Sequence, residues 1–161
     1  MTPPRPTGAE RLLGLWSTLA PWPGGTWLFS RLLGFTVPYT GSIGAHVRLL
    51  EPGHARVTLR DRRAVRQHLG SVHAVALVNL GEVTTGLAVL AALPSGIRSI
   101  VTSLSIEYLK KARGLLSCEC RTAIPTLAGE LDHLVAADII DATGDPVARI
   151  QVRWRLSPPR P

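Results

Sequence analysis

The sequence predicts an α+β domain in which an antiparallel β-sheet packs against one long buried helix. Three observations predict it. The run "VHAVALVNLGEVTTGLAVLAAL", Val72 to Leu93, is nearly all apolar and of helical length. Ahead of it, "IGAHVRLLEPGHARVTLR" alternates around a turn signal, and four strand-like runs follow it. Strands joined in consecutive hairpins build an antiparallel sheet, and a single apolar helix is buried on its concave face. A chain of 161 residues, 45% hydrophobic, suffices for one compact domain with its own core.

The elements follow in order. Residues 1–8, "MTPPRPTG", are Pro-rich and predict a frayed, disordered start. Glu10 to Ala20 has helical spacing, with Leu12, Leu13, Leu15, Trp16 and Leu19 on one broad stripe. "PWPGG" breaks it, and Thr26 to Phe35 predicts a second short helix carrying Trp27, Leu28, Phe29, Leu32 and Leu33. In the hairpin, Val47 and Leu49 share a face with Ala55, Val57 and Leu59 across "EPGH". The basic segment Asp61 to Leu69 reads as a loop, and Pro94 and Gly96 close the long helix. "IRSIVTSLSIEYL" then alternates Ile100, Thr102, Leu104, Ile106 and Tyr108 on one face. "GLLSCECRTAI", "LDHLVAADIID" and "PVARIQVRWRL" supply three more strands, the last two joined by "TGD".

Composition excludes several classes. The net charge is +7, and Lys110 and Lys111 are the only lysines among 18 Lys and Arg residues. A basic balance favours anionic partners. No basic tail or aromatic-studded repeat accompanies it, so nucleic-acid binding is not expected. The two cysteines, Cys118 and Cys120, fall on one face of a strand, a spacing that suits neither a relaxed disulfide nor a complete metal site. His46, His54, His68 and His133 form no ligand spacing, and no metal is expected. "RLLGLWSTLAPW" has signal-like apolarity, but Glu10 precedes it and Pro21 would follow the cut at Ala20. A soluble, cytoplasmic protein is therefore expected. The two N-terminal helices lack a basic polar face of any length, so packing is expected of them rather than membrane contact, although Trp16, Trp22 and Trp27 are available as interfacial anchors.

The polar residues inside the long helix bear on function. Val72–Leu93 could span a bilayer by length, yet Asn79 and Glu82 near its centre, then Thr84, Thr85 and Gly86, point to burial in protein. An unpaired carboxylate there is costly to desolvate. His73 stands at the helix start with Glu82 nine residues on, and Gln67 lies six before that His. With the strand "VTSLSIEYLKKAR" and the order of elements, this constellation resembles the hotdog fold, a curved antiparallel sheet wrapped around one long central helix. More narrowly, it is similar to the acyl-CoA thioesterases of the phenylacetate type and to their DUF4442 relatives. The resemblance covers Gly41 to Leu156. It implies a hotdog domain over 41–157, with residues 9–40 as a helical extension outside it. Ala74 and Val75 stand where those thioesterases have Gly-Gly, and Gln67 where they have Asn.

Geometry adds a constraint: nine residues of helix put His73 and Glu82 on opposite sides and about 13 Å apart along the axis. The family resolves this with a two-fold dimer, so the resemblance implies a homodimer, or a tetramer, with each site at the interface. Glu82 would be general base or nucleophile, the amides around His73 and Ala74 an oxyanion hole, and Gln67 a further donor. Thr102 or Ser103 would hold the water. Val75, Asn79, Glu82, Gly86 and Val89 would face the ligand channel, and Lys110, Lys111 and Arg113 would meet the phosphates of CoA, with Arg62, Arg63 and Arg66 as alternatives. The implied ligand is an acyl-CoA thioester, as substrate and not as a resident cofactor. Without Gly-Gly, the alternative is a non-catalytic acyl-CoA or lipid-binding protein of the same fold.

Overall fold

The computed structural model describes residues 7–158. Residues 1–6 of the segment expected to fray lie outside that range, whereas Thr7 caps the first helix and Gly8 begins it. Helix α1, Gly8–Leu19, opens with a reciprocal cap: the Thr7 hydroxyl accepts from the Glu10 amide at 3.1 Å, and the Glu10 carboxylate accepts from the Thr7 amide at 2.7 Å. Leu12, Leu13, Trp16 and Leu19 pack on the core, while Leu15 faces outward. Trp16 meets Phe29 of α2, Gly25–Thr36, edge to face with ring centroids 5.0 Å apart. A short α3, Pro38–Ser42, follows; five residues are too few to leave a periodicity in the sequence.

Strands β1, His46–Glu51, and β2, His54–Arg60, form the expected hairpin, with a correction to its phase. The register shifts between Val47 and Leu49, so Leu50 rather than Leu49 points into the core. A bulge adds one residue to one strand and flips the alternation beyond it, which reading by twos cannot anticipate. The segment expected as a loop contains a 3-10 turn at Arg63–Val65 and a bridge from Arg66 to Val72. The long helix, α4, spans Ala74–Ala92; it starts after Val72 because His73 caps it.

Four strands follow: β3, Arg98–Tyr108, β4, Leu115–Arg121, β5, Leu131–Ile140, and β6, Pro146–Ser157. The six strands form one antiparallel sheet in the order β1-β2-β4-β5-β6-β3. Not all neighbours are consecutive hairpins. Helix α4 carries the chain across the sheet, so β3 lands on the far edge beside β6, and β4 returns to pair with β2. A second bulge, between Val101 and Ser103, divides β3: Val101 faces inward before it, Leu104 and Ile106 after it, and Ile100 stays 65% exposed.

The core lies between α4 and the sheet. Leu77, Leu80, Leu87 and Ala88 of the helix are buried with Val57, Leu59, Leu116, Ile139, Ile150 and Val152 of the strands. Each such Val, Leu or Ile side chain contributes about 1.5–3 kcal/mol by leaving water. Cys118 and Cys120 are buried free thiols on the same face, pushed up to about 12 and about 11 by burial. Neither is a thiolate at neutral pH. The helix approaches β6 closely at two glycines: a Cβ on Gly81 would lie 2.5 Å from the Ile150 side chain, and one on Gly86 3.3 Å from the Trp154 ring. The buried hydroxyls of Thr84 and Thr85 donate to the carbonyls of Leu80 and Gly81 at 2.7 and 3.0 Å. This helix is apolar and long enough to cross a membrane, but most of it is buried inside the domain.

Candidate active site

Glu82 sits near the middle of α4, between the two glycines that press the helix onto β6. Helical spacing sets it on the less buried face, in line with Val75 and Val78. It is half-buried, and loss of solvation alone pushes its carboxyl above the ordinary range. Among the described residues its carboxylate makes no hydrogen bond or ion pair, although arginines on the sheet are paired with Asp132 and Asp138. A carboxylate paired for stability would show the opposite shift, as Asp61 does beside Arg66.

The start of α4 has its donors arranged differently from expectation. The His73 amide donates to the Val65 carbonyl at 2.8 Å, so it is not available to a ligand. The His73 ring instead caps the helix, its Nδ1 accepting from the Val75 amide at 3.1 Å. The amides of Ala76 and Leu77 turn back to the His73 carbonyl. Ala74 N–H is left without an acceptor among the described residues, at the positive end of the helix dipole. Gln67 does not aim at this donor: its Nε2 donates to the Ser71 hydroxyl at 3.0 Å and its Oε1 accepts from the Leu69 amide at 3.2 Å. The side chain closes its own turn because that turn offers both partners within four residues. Eight residues of helix separate Ala74 from Glu82, about 12 Å along the axis, too far for both to meet one carbonyl within a single chain.

The expected ligand-facing stripe divides. Asn79 is buried and donates to the Tyr39 carbonyl at 3.0 Å, tying α3 to α4, while its Oδ1 has no partner among the described residues. With His73, Val75, Tyr39 and Arg66 it lines a cavity of 260 Å³ at the helix start. Val89 and Gly86 are packed inward instead, Gly86 against Trp154, because this part of the helix is covered by the sheet. Thr102 is the bulged residue of β3, its hydroxyl donating to the Arg153 carbonyl at 3.3 Å, and Ser103 beside it is exposed.

Of the expected phosphate-binding cations, Lys110 is engaged: its ammonium lies 2.7 Å from Asp141 and 2.8 Å from Asp145, carboxylates of the β5–β6 turn. It drives the Asp141 carboxyl strongly down. Arg113 donates to the Gly70 carbonyl at 3.3 Å, and Val72 N–H to the Ala112 carbonyl at 2.9 Å. Those bonds stitch the segment bearing Lys111 and Arg113 to the loop before α4. Arg62 is held by the Ile43 carbonyl at 2.9 Å and Arg66 by Asp61 at 2.6 Å. Lys111 and Arg63 make no ion pair among the described residues, and their near neighbours Ala112 and Val65 accept from the Val72 and His73 amides just before α4. No cluster of metal ligands occurs among the described residues.

A family model described as a domain of unknown function, DUF4442, matches residues 25–156. The chain belongs to the DUF4442 family. The match begins at the first residue of α2. A solved structural-genomics protein is 30% identical and superimposes with a TM-score of 0.78, covering 93% of this chain and 98% of its own. A Pseudomonas aeruginosa protein of unknown function, with a provisional thioesterase designation, is 22% identical at a TM-score of 0.72 over 83% of this chain and 95% of its own. A Mycobacterium tuberculosis protein with a provisional esterase designation is 25% identical at a TM-score of 0.67, covering 77% and 99%. No functionally curated protein matches the chain. The hotdog fold of this DUF4442 protein follows from these likenesses and from its own topology.

Two features escape sequence reasoning. Tyr108, the last residue of β3, reaches the Ala74 carbonyl through its hydroxyl at 3.2 Å and so fixes the first turn of α4 against the sheet edge. A cavity of 550 Å³ opens between α2, α3 and β1, lined by Trp27, Arg31, Phe35, His46 and Arg62 among others. Neither residue pair nor cavity wall is local in sequence, and no short motif announces them.

Proposed function

We propose that this protein is a thioester hydrolase acting on acyl-CoA, with Glu82 as its general base. The observation that carries the reading is Glu82 itself: a half-buried acid on the central helix of a hotdog fold, raised by desolvation and unpaired among the described residues. Thioesterase and esterase designations among proteins of the same fold support the reaction class. A base working near neutral pH needs such a raised pKa. Glu82 would take a proton from a water as its oxygen attacks the thioester carbon. The carbonyl oxygen would gain negative charge against Ala74 N–H, the C–S bond would break, and the thiolate would leave as the free thiol once protonated.

The roughly 12 Å between Ala74 and Glu82 supports a site shared between two chains. A homodimer supplies the carboxylate from one copy and the helix start from the other. Strand β3 supports that assembly: it is an 11-residue edge with exposed Ile100 and an unpaired side, which a second copy can cover. Lys111, Arg63 and Arg113, beside the helix start, would receive the phosphates of CoA, and the unpaired Asn79 Oδ1 would accept an N–H or O–H of the ligand.

A second reading, binding of an acyl-CoA without hydrolysis, is favoured by the side chains that fill the helix start: His73 occupies the Val75 amide and Gln67 is engaged in its own turn. Thiol release from a panel of acyl-CoAs of graded chain length separates the two. Turnover by the wild type and its loss in Glu82→Gln is the expected result; saturable binding by both with no turnover would establish the carrier reading.

A further inference from the structure

Helix α2 is apolar on two faces. Gly25 and Phe29 are buried, and Thr26, Ser30 and Leu33 lie inward with them. The opposite face presents Trp27, Leu28, Leu32 and Phe35, with Trp27 58% and Phe35 73% exposed; Trp22, just ahead of the helix, is 71% exposed. An all-round apolar helix is ordinarily enclosed on every side, and a contiguous apolar patch of this kind marks a contact surface. The expectation that the N-terminal helices serve packing therefore holds for only one face.

We propose that this outward face of α2 docks on an anionic lipid bilayer. Charge favours that occupant: from Arg11 to Leu50 the chain contains no Asp or Glu, while Arg11, Arg31 and Arg48 are positive and the whole chain is +7. Composition favours it as well. Trp is the residue type enriched at the level of lipid headgroups, and Arg31 lies in the middle of the patch, its guanidinium 6.0 Å from the Trp27 ring and 5.7 Å from that of Phe35. That arrangement gives rings for the acyl boundary and a cation for lipid phosphate on one surface.

A second copy of the chain fits this face less well. Helix α2 packs on β1, where Ser30 accepts from the Val47 amide at 2.9 Å and Thr26 meets His46 at 3.0 Å. Strand β1 is the opposite edge of the sheet from β3, so the dimer proposed above leaves α2 uncovered. Trp27, Arg31 and Phe35 also form the rim of the 550 Å³ cavity, so a docked protein would turn that opening toward lipid. Lipid docking needs neither Glu82 nor turnover, and only the exclusion of a second copy from this face rests on the dimer proposed above.

The test is co-sedimentation of the full chain with vesicles of phosphatidylcholine alone and of phosphatidylcholine mixed with phosphatidylglycerol. Wild type is expected to pellet with the mixed vesicles, less with neutral ones, and less again in high salt. Trp27→Ser combined with Phe35→Ser should weaken binding by about tenfold or more, and Arg31→Glu should abolish the preference for the anionic lipid. Wild type remaining in the supernatant with both vesicles overturns the proposal. So does a change of mass in solution on Trp27→Ser/Phe35→Ser, which would make this face an interface between copies. Circular dichroism and melting check the fold of each variant. Should the double variant unfold, Trp22→Ser and Arg31→Glu decide, and wild-type binding by both overturns the proposal.

Discussion

Glu82 shows two consequences of one burial. Desolvation makes its carboxylate a better base and at the same time a charge that the folded chain holds at a cost. Glu82→Gln should lower thioester turnover by about a hundredfold or more, read as thiol release. The same variant should melt higher than wild type at pH 8. Because the folded pKa is raised, the native state binds its proton more tightly than the unfolded chain does. Wild-type stability therefore falls as pH rises from the ordinary carboxylate range through the folded value, and Glu82→Gln lacks that fall. The gap in melting temperature should close at acid pH; a gap independent of pH would show that Glu82 is not the group desolvated. Turnover has the opposite sense, declining as pH drops through the raised pKa because the base becomes protonated.

At the helix start, Ala74→Pro isolates the free amide. Ala74 is the first residue of α4, a position where proline is tolerated, and His73 before it has φ −65° and ψ 141°, the extended conformation that precedes proline readily. The substitution removes the unpaired N–H and little else. Turnover should fall by about a hundredfold to a thousandfold with melting nearly unchanged, as for loss of one oxyanion donor. Unaltered turnover would move the oxyanion to another donor.

At the scale of elements, α4 was legible and the strand phases were not. The run from Val72 to Leu93 is apolar over a length that only a helix accommodates, so its place in the core follows from composition. The bulges at Arg48 and Thr102 lie in strands whose alternation looks regular, and each reverses which residues face inward. Their cause is the pairing with a neighbour, which no single strand encodes. The helix-to-sheet distance depends on Gly81 and Gly86 in the same non-local way. Gly81→Ala forces a methyl into the Ile150 side chain and should lower stability by about 1–3 kcal/mol in urea unfolding. Gly86→Ala, at 3.3 Å from the Trp154 ring, should cost less. Equal or no loss in both would mean that α4 can lift from β6 freely.

At the scale of the whole molecule, the proposed site draws its carboxylate and its helix start from two copies. Mixing inactive Glu82→Gln with inactive Ala74→Pro should restore about a quarter of wild-type turnover, since half of randomly mixed dimers contain one native site of two. No recovery, with subunit exchange verified by mass, would place both groups in one chain. The β3 edge and strand β1, on which α2 packs, are opposite edges of the sheet, so the proposed dimer and the proposed lipid docking are compatible.

The sequence by itself determined the class of fold, the central helix and the identity of its one acid, because apolar length, alternation and a misplaced carboxylate are local facts. It also singled out the helix start, though not which amide there is free. Tertiary structure alone decided the strand order that sends β3 to the far edge, the ion pairs that hold Lys110 at Asp141 and Asp145, and the capture of Gln67 by its own turn. It alone left Trp27 and Phe35 outside while Trp16 went in. Each of these depends on which distant groups meet, and a charge or a ring has no fixed role until its neighbours are in place.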